Sequence, residues 1–117
     1  MNVVDKFGIH LLIPGVEIEN VESLHVSTEK GHAQEFQVSK SAFVYVVIEG
    51  RLVFFINGEP FVAEKGDIVV IPPKNSIWYA GEAKMVLTCS PKFTPEQEKE
   101  IRLISDEELE QAREKYL

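Results

Sequence analysis

The side chains with the most direct chemical potential in this 117-residue chain are three histidines, one cysteine and three tyrosines. His10, His25 and His32 are scattered, and no two of them have the short spacing at which metal ligands usually recur. Each is therefore predicted to be a surface or hydrogen-bonded histidine. A site formed by His32 and Glu35 is the less favoured alternative.

Cys89 lies near the end of a predicted strand and has two interpretations. It is a candidate nucleophile, but a single cysteine in that position is more often part of the buried packing. Because it is the only cysteine, no intrachain disulfide forms and an oxidising compartment is not implied.

The overall composition restricts the class of protein and its partners. A hydrophobic content of 44% and a charged content of 26% are typical of a single globular domain. The net charge of −7 and the lack of a lysine or arginine run argue against binding to nucleic acid or to an anionic membrane. The N-terminal residues do not resemble a secretion signal, so a cytoplasmic location is expected.

The elements that must position any site are short strands separated by turns, from about residue 9 to residue 90. Asn57 and Gly58 between two apolar runs are the strongest hairpin signal, since both adopt positive φ readily. Further turns are predicted at Gly66, at Pro72 and at Gly81, with the last strand at 84–88. Turns at this spacing without intervening helices predict an all-β antiparallel sandwich or barrel.

The C-terminal residues change to a helical pattern. Thr94, Pro95 and Gln97 carry the signals of a helix start, and Ser105 repeats them before a second helix with Leu109, Ala112 and Tyr116 on one face, the set that would pack. The chain is thus divided into a barrel domain at 1–93 and a short helical tail at 94–117. The tail is predicted to pack on the barrel or on a dimer, with a partner-binding role as the alternative.

Two predicted strands are apolar on both faces, at 43–48 and 52–56. A strand with one face in water would alternate apolar and polar residues, so both faces need to be covered. A homodimer is predicted to supply the cover, although the C-terminal helix could supply part of it. Trp78 is expected to point outward, toward the dimer contact or this helix.

The spacing of the turn residues resembles that of the cupin superfamily, and in particular its small single-domain bacterial members. The first cupin motif is matched in spacing by Gly31, Gln37, Ser39, Phe43 and Gly50, and the second by Gly66, Pro72, Lys74, Ile77 and Gly81. The resemblance implies the cupin double-stranded β-helix, a jelly-roll β-barrel, in which the strand at 45–48 ends in a turn at Gly50 that closes the first motif.

The positions that hold a metal ion in cupins are all replaced. The resemblance places Gln37, Ser39, Phe43 and Ile77 there, and none of them is an imidazole or a carboxylate. Phe43 and Ile77 have no lone pair to offer. We therefore expect no metal at the family's position and no other cofactor.

A barrel without these ligands still has an interior. If the four replaced positions point inward, strand alternation directs Tyr45 and Tyr79 inward as well. The predicted pocket then combines polar and apolar side chains and suits a small metabolite: Gln37, Ser39, Phe43, Tyr45, Ile77 and Tyr79. The alternative is a barrel packed solid by the same residues.

The leading function from sequence is a metal-free protein that binds or senses a small molecule. The alternative is a metal-independent sugar isomerase, epimerase or cyclase-like enzyme. Cupin-like sugar epimerases use a His–Asp base and a tyrosine acid. Tyr45 or Tyr79 could be the acid, but no such base is visible, and no catalytic residue is assigned.

Overall fold

Short apolar segments and tight turns produce one curled antiparallel sheet, followed by a helix. The protein is described by a computed structural model covering residues 2–14 and 20–117. The strands in these residues are β1 Asn2–Lys6, β2 Ile9–Ile13, β3 Glu22–Thr28, β4 Gln34–Val38, β5 Ala42–Ile56, β6 Glu59–Glu64, β7 Ile68–Ile71, β8 Ser76–Ser90 and β9 Glu98–Leu103. Helix α1 spans Asp106–Tyr116. The strand order is β1-β2-β3-β8-β4-β9, and β5 pairs with β6, β7 and β8.

The predicted hairpin at Asn57 and Gly58 is confirmed. Ile56 pairs with Glu59 across it, and the two turn residues have φ of 51° and 81°. The Asn57 side chain also accepts a hydrogen bond from the backbone amide of Ser76 at 2.9 Å. The turn therefore ties β5, β6 and the start of β8 together.

The predicted turns at Gly50 and Gly81 are wrong in one respect, because both strands continue through them. β5 and β8 each run for 15 residues and pair with each other along this length. Gly50 has φ of 93° and Gly81 has φ of 136°. A Cβ at position 50 would stand 2.2 Å from the carbonyl oxygen of Glu82, so glycine lets the two strands bend together without separating.

The predicted helix at Thr94 is also wrong. Its start signals produce a single 3₁₀ turn at Pro95–Gln97, and the chain then enters strand β9. Two contacts favour the strand: the buried Gln97 side chain accepts from the amides of Lys40 and Ser41, and β9 pairs with the open edge of β4. The division of the chain at residue 93 stays a prediction.

The second predicted helix is confirmed as α1. The Ser105 hydroxyl accepts a hydrogen bond from the amide of Glu108 at 3.1 Å, which caps the helix. Leu109 and Ala112 are buried in an outer apolar cluster beneath α1, together with Trp78 and Phe55. Trp78 thus packs against the C-terminal helix, and its ring stacks on that of Phe55 at 4.1 Å.

The fold class is confirmed as mostly β, with a curled sheet and one C-terminal helix. The main core lies on the inner face of the sheet, and the outer cluster lies under α1. Among the residues that the structure describes, no helix is long and apolar enough to cross a membrane.

Candidate functional site

A cavity of about 290 Å³ lies on the inner face of the sheet. One of its walls is apolar and comes mainly from the first three strands and β8: Val4, Ile9, Leu11, Ile13, Leu24, Val26 and Leu87. The floor carries polar side chains on β5, β8 and the segment between β3 and β4. An apolar wall with a few polar groups is the usual composition of a small-molecule site.

Three buried rings with polar atoms form the floor. His32, Tyr45 and Tyr79 are each 3% exposed or less. The His32 and Tyr79 rings are 5.5 Å apart and nearly perpendicular, and the Tyr45 and Tyr79 rings are 5.8 Å apart. In the described part of the chain, neither Nδ1 of His32 nor the hydroxyl of Tyr79 has a hydrogen-bond partner. Both atoms are therefore available to a ligand in the cavity.

Burial determines the protonation states of this floor. It lowers the pKa of His32 to about 3, the positive charge of Lys6 acts in the same direction, and the backbone of Gln34 opposes both. Burial raises the pKa of Tyr79 above its ordinary value, and it does the same for Tyr45. At pH 7 the imidazole is neutral and both phenols keep their protons.

The backbone around His32 is fixed from several directions. The amide of His32 donates to the carbonyl of Tyr79 at 2.9 Å, and the amide of Ala33 donates to that of Phe7 at 2.8 Å. Gly31 has φ of 128°, and a Cβ there would stand 2.3 Å from the Tyr79 carbonyl oxygen. Glycine at 31 is therefore what lets the His32 segment approach β8 so closely.

Charged side chains line the same cavity nearer to solvent. Lys6, Glu22 and Glu98 are half-buried and contribute to its wall. The ammonium of Lys6 lies 6.0 Å from the centre of the Phe93 ring, which also lines the cavity. A ligand that reaches the floor thus passes one cation and two carboxylates.

The structure brings together three of the six residues predicted for the pocket. Phe43, Tyr45 and Tyr79 line the cavity. Ile77 is buried in the core but is not part of the cavity wall.

Gln37 and Ser39 lie elsewhere. Gln37 is half-buried and its amide donates to the carbonyl of Lys74 at 2.6 Å, while Ser39 is exposed. The inward positions of β4 are Phe36 and Val38, one residue earlier than the motif spacing implied. A slip of one residue reverses every side chain of a strand.

Sequence reasoning missed His32, Lys6, Phe36 and Glu98 as cavity residues. His32 was expected at the surface or in a hydrogen bond, but it lies against the rings of Phe36 and Phe7. A histidine next to a turn glycine gives no local signal of burial, because the burial comes from strands distant in sequence. Glu98 was hidden by the helix signals that precede it.

Cys89 also lines the cavity and is 1% exposed. Burial raises the pKa of its thiol to about 12, and the nearby Glu22 acts in the same direction. A protonated thiol is a poor nucleophile, so its surroundings favour the packing interpretation.

The donor set does not fit the metal that cupins often hold. In residues 2–14 and 20–117, no group of three or more His, Cys, Asp or Glu side chains is arranged to hold an ion. The alternative pairing of His32 with Glu35 does not form either, since the Glu35 carboxylate accepts from Nε of Arg102 at 2.9 Å. No step is therefore derived through a metal.

Comparison with known proteins decides the family. Residues 25–92, more than half of the chain, match the family model described as ethanolamine utilisation protein EutQ. The chain is a cupin of the EutQ family. No curated protein sequence matches this cupin.

Solved structures place this cupin beside a known enzyme. Structures of PAC13 from Streptomyces, a nucleoside dehydratase, are 36% identical, with a TM-score of 0.90 over 92% of this chain and 89% of theirs. Two more distant structures share the fold only. KdgF from Halomonas is 17% identical over 80% of this chain and 88% of its own, with a TM-score of 0.70. An RmlC-like cupin from Shewanella frigidimarina is 20% identical over 78% and 84%, with a TM-score of 0.66.

Proposed function

We propose that this cupin binds a nucleoside in the cavity and eliminates water from it, as a nucleoside dehydratase. The proposal extends the small-molecule binding predicted from sequence by naming a substrate class and a reaction. It is supported by the likeness to PAC13, a nucleoside dehydratase. It is also supported by the side chains on the cavity floor.

One observation carries the proposal. Three PAC13 structures with uridine have a histidine changed to glutamine or one of two tyrosines changed to phenylalanine, at positions separated by 13 and 34 residues. His32, Tyr45 and Tyr79 are separated by the same two intervals and line one cavity. These three residues are therefore our candidates for ligand contact and proton transfer.

In the protonation states of the floor, His32 is free to accept a proton and the phenols are able to donate one, as an elimination of water requires. The reaction removes a proton from one carbon and a hydroxyl from its neighbour, and the electron pair of the broken C–H bond forms the double bond. Nδ1 of the neutral His32 accepts the proton, and the phenol of Tyr79 or Tyr45 donates one to the departing hydroxyl, which leaves as water. The step leaves a protonated His32 and a phenolate. The proton balance is restored when the phenolate takes a proton from His32, directly or through solvent.

Lys6 supplies positive charge beside His32. Its charge already contributes to the lowered pKa of His32, so the two groups are close enough to interact. An ammonium beside the cavity floor stabilises negative charge that develops on the substrate as the proton leaves. We assign Lys6 this electrostatic role.

The test combines a binding and a turnover measurement. Uridine is the binding probe, followed by ligand-observed NMR, and mass spectrometry of a panel of nucleosides and their sugar-modified derivatives detects the loss of one water. We expect His32→Gln and Tyr79→Phe to lower turnover by a factor of about 100 or more, because each removes a proton-transfer group. Uridine binding should weaken much less.

Two matched variants serve as controls. Tyr116→Phe removes a phenol that lies on α1 rather than in the cavity wall, and Ser39→Ala alters an exposed side chain. Both should keep full turnover. A wild-type protein that neither binds uridine nor dehydrates any member of the panel would contradict the proposal. A stoichiometric transition metal in untagged protein would contradict the prediction that the protein is metal-free.

The isomerase or epimerase alternative stays open because it uses the same kind of groups. The base that the sequence did not reveal is supplied by His32, opposite the phenol of Tyr79. The two reactions differ in their products, since an epimerase keeps the mass of its substrate. A product of unchanged mass and altered stereochemistry would favour the alternative.

A further inference from the structure

The segment that carries His32 lies between β3 and β4 and is held by residues from the C-terminal part of the chain. The amide of Ile104, which follows β9, donates to the carbonyl of Ala33 at 2.9 Å. On the other side of His32, Cδ2 of Leu109 in α1 would stand 3.1 Å from a Cβ at Gly31. The two residues beside His32 therefore lie close to Ile104 and to Leu109 of α1.

Arg102 connects the elements of this region through its guanidinium. Its Nε donates to Glu35 of β4 at 2.9 Å, and its two terminal nitrogens donate to the two carboxylate oxygens of Glu108 in α1 at 2.8 Å each. Bidentate charge-assisted pairs of this kind fix orientation as well as distance. Glu35 is buried, so this part of the network is shielded from water.

The Arg102 guanidinium also supports Tyr79, from the side of β8 opposite the cavity. It lies 5.6 Å from the centre of the Trp78 ring, and Trp78 precedes Tyr79 on β8. Successive residues of a strand point to opposite faces, so Trp78 meets Arg102 and α1 while Tyr79 meets the cavity. The Arg102 side chain thus contacts the outer side of β8 through Trp78 and joins β4, β9 and α1.

We propose that strand β9 and helix α1 brace the His32–Tyr79 pair, with Arg102 and Leu109 as positioning residues. Neither residue lines the cavity, so both act through the backbone segments that carry the two rings. The catalytic consequence rests on the proposed function. The placement of the rings itself does not.

The first experiment measures the environment of His32 directly. Histidine-labelled protein is titrated by NMR, and the His32 signals are assigned by their loss in His32→Gln. We expect Arg102→Met to raise the titration midpoint of His32 by about one pH unit, because a looser floor admits water and weakens the burial that keeps the imidazole neutral. Circular dichroism at each pH establishes that the variant is folded.

Two further variants keep the test decisive. Lys84→Met breaks an exposed ion pair with Glu49 and should leave the His32 midpoint unchanged. If Arg102→Met does not fold, Glu108→Gln is used in its place. Glu108→Gln removes only the negative charge that pairs with Arg102. A folded variant of either kind with the wild-type midpoint would overturn the brace.

The second experiment separates positioning from stability in the reaction. In folded Arg102→Met we expect kcat to fall about tenfold with KM within a factor of two, since substrate contacts are kept and the geometry of proton transfer is altered. A fall in activity explained entirely by a smaller folded fraction would count against the brace. If the wild type dehydrates no nucleoside, the proposed function fails, and the NMR titration still decides the brace.

Discussion

The imidazole of His32 is kept neutral by its surroundings rather than by a partner. It is enclosed by the rings of Phe7, Phe36 and Tyr79, and its Nδ1 has no hydrogen-bond partner in the described residues. A charged imidazolium in this place would lose its hydration without compensation. The same burial that creates a free acceptor for a ligand therefore also creates a sensitivity to acid.

The first prediction concerns this acid sensitivity. The folded-state pKa of His32 is about 3 against an ordinary value of 6.5, so between these pH values the unfolded chain binds a proton that the folded chain does not. Stability is then lost as the pH falls from about 6.5 to about 3, by on the order of 4 kcal/mol in total. We expect urea unfolding of His32→Gln to show a markedly smaller loss over this range.

The exposed His10 supplies the comparison for this measurement. His10→Gln removes an imidazole that the fold does not bury, so it should retain the acid sensitivity of the wild type. Parallel loss of stability in the wild type and in both variants would show that other groups control the acid response.

At the residue scale, alternation along a strand located two of the residues that line the cavity. Tyr45 lies in β5 between β7 and β8, and Tyr79 lies in β8, so alternation placed both rings in the interior. The motif spacing placed Gln37 and Ser39 in the cavity as well, whereas the core residues of β4 are Phe36 and Val38. His32 was beyond reach, since its burial depends on rings from three separate segments.

At the scale of elements, local signals identified turns correctly but misjudged two of their consequences. Gly50 and Gly81 were read as strand ends, although β5 and β8 bend there and continue. The capping residues before Glu98 predicted a helix, but the unpaired edge of β4 offered backbone partners that a solvent-exposed helix lacks. The first error arises because a glycine marks a bend without showing whether the strand ends there. The second arises because a sheet edge is a tertiary feature and leaves no mark on the local sequence.

The second prediction tests the close contact at Gly31. Gly31→Ala would place a Cβ 2.3 Å from the Tyr79 carbonyl oxygen and 2.7 Å from Cα of Ala80, at φ of 128°. Both obstacles are backbone atoms that cannot move aside, so we expect a loss of about 3 kcal/mol or more in the free energy of unfolding. Chemical denaturation measures it.

Gly58→Ala is the matched control for this substitution. Gly58 also has a positive φ, of 81°, but nothing lies within 4 Å of a Cβ there. Only the conformational term of about 1–2 kcal/mol should remain. Equal costs at the two glycines would mean that the backbone conformation, and not the contact with β8, explains the requirement at position 31.

At the scale of the whole molecule, the sheet has an outer face that α1 covers only in part. The helix covers the end of β5 and the start of β8, through Phe55 and Trp78. It does not reach Val44 and Val46 at the other end of β5, which the sequence also predicted to need cover. Their cross-strand neighbours on β7 are exposed as well: Val70 is 60% exposed and Ile68 is 63% exposed.

Two neighbouring rows of the uncovered face carry no acidic or basic side chain other than one histidine, and one of them crosses six strands. The pairings of β1, β2, β3, β8, β5 and β7 align one row across the sheet: Val3, Leu12, His25, Val86, Val46 and Ile68. A second row holds Ser23, Thr88, Val44 and Val70. In a chain of net charge −7, these two rows are a surface that a second copy would cover without opposing carboxylates.

The last prediction is that this face joins two copies of the chain. Two rows of alternate residues take about 14 Å along six strands spaced about 4.8 Å apart, which gives roughly 400 Å² in plan. A stable interface takes ~800 Å² per partner, so side chains beyond the two rows also join the contact. We expect sedimentation to give twice the monomer mass of 13.2 kDa. A double variant, Val46→Lys with Ile68→Lys, should be a folded monomer, because it places two positive charges from each copy within the contact. Val62→Lys alters an equally apolar side chain, 44% exposed on β6 and outside both rows, and should remain dimeric. A monomeric wild type would show that this contact does not form, and a dimer that survives the double variant would show that the contact lies elsewhere.

The dimer contact and the cavity share strand β1, because its inner side carries Lys6 into the cavity while its outer side carries Val3 onto this face. The monomeric variant should therefore also bind uridine more weakly than Val62→Lys.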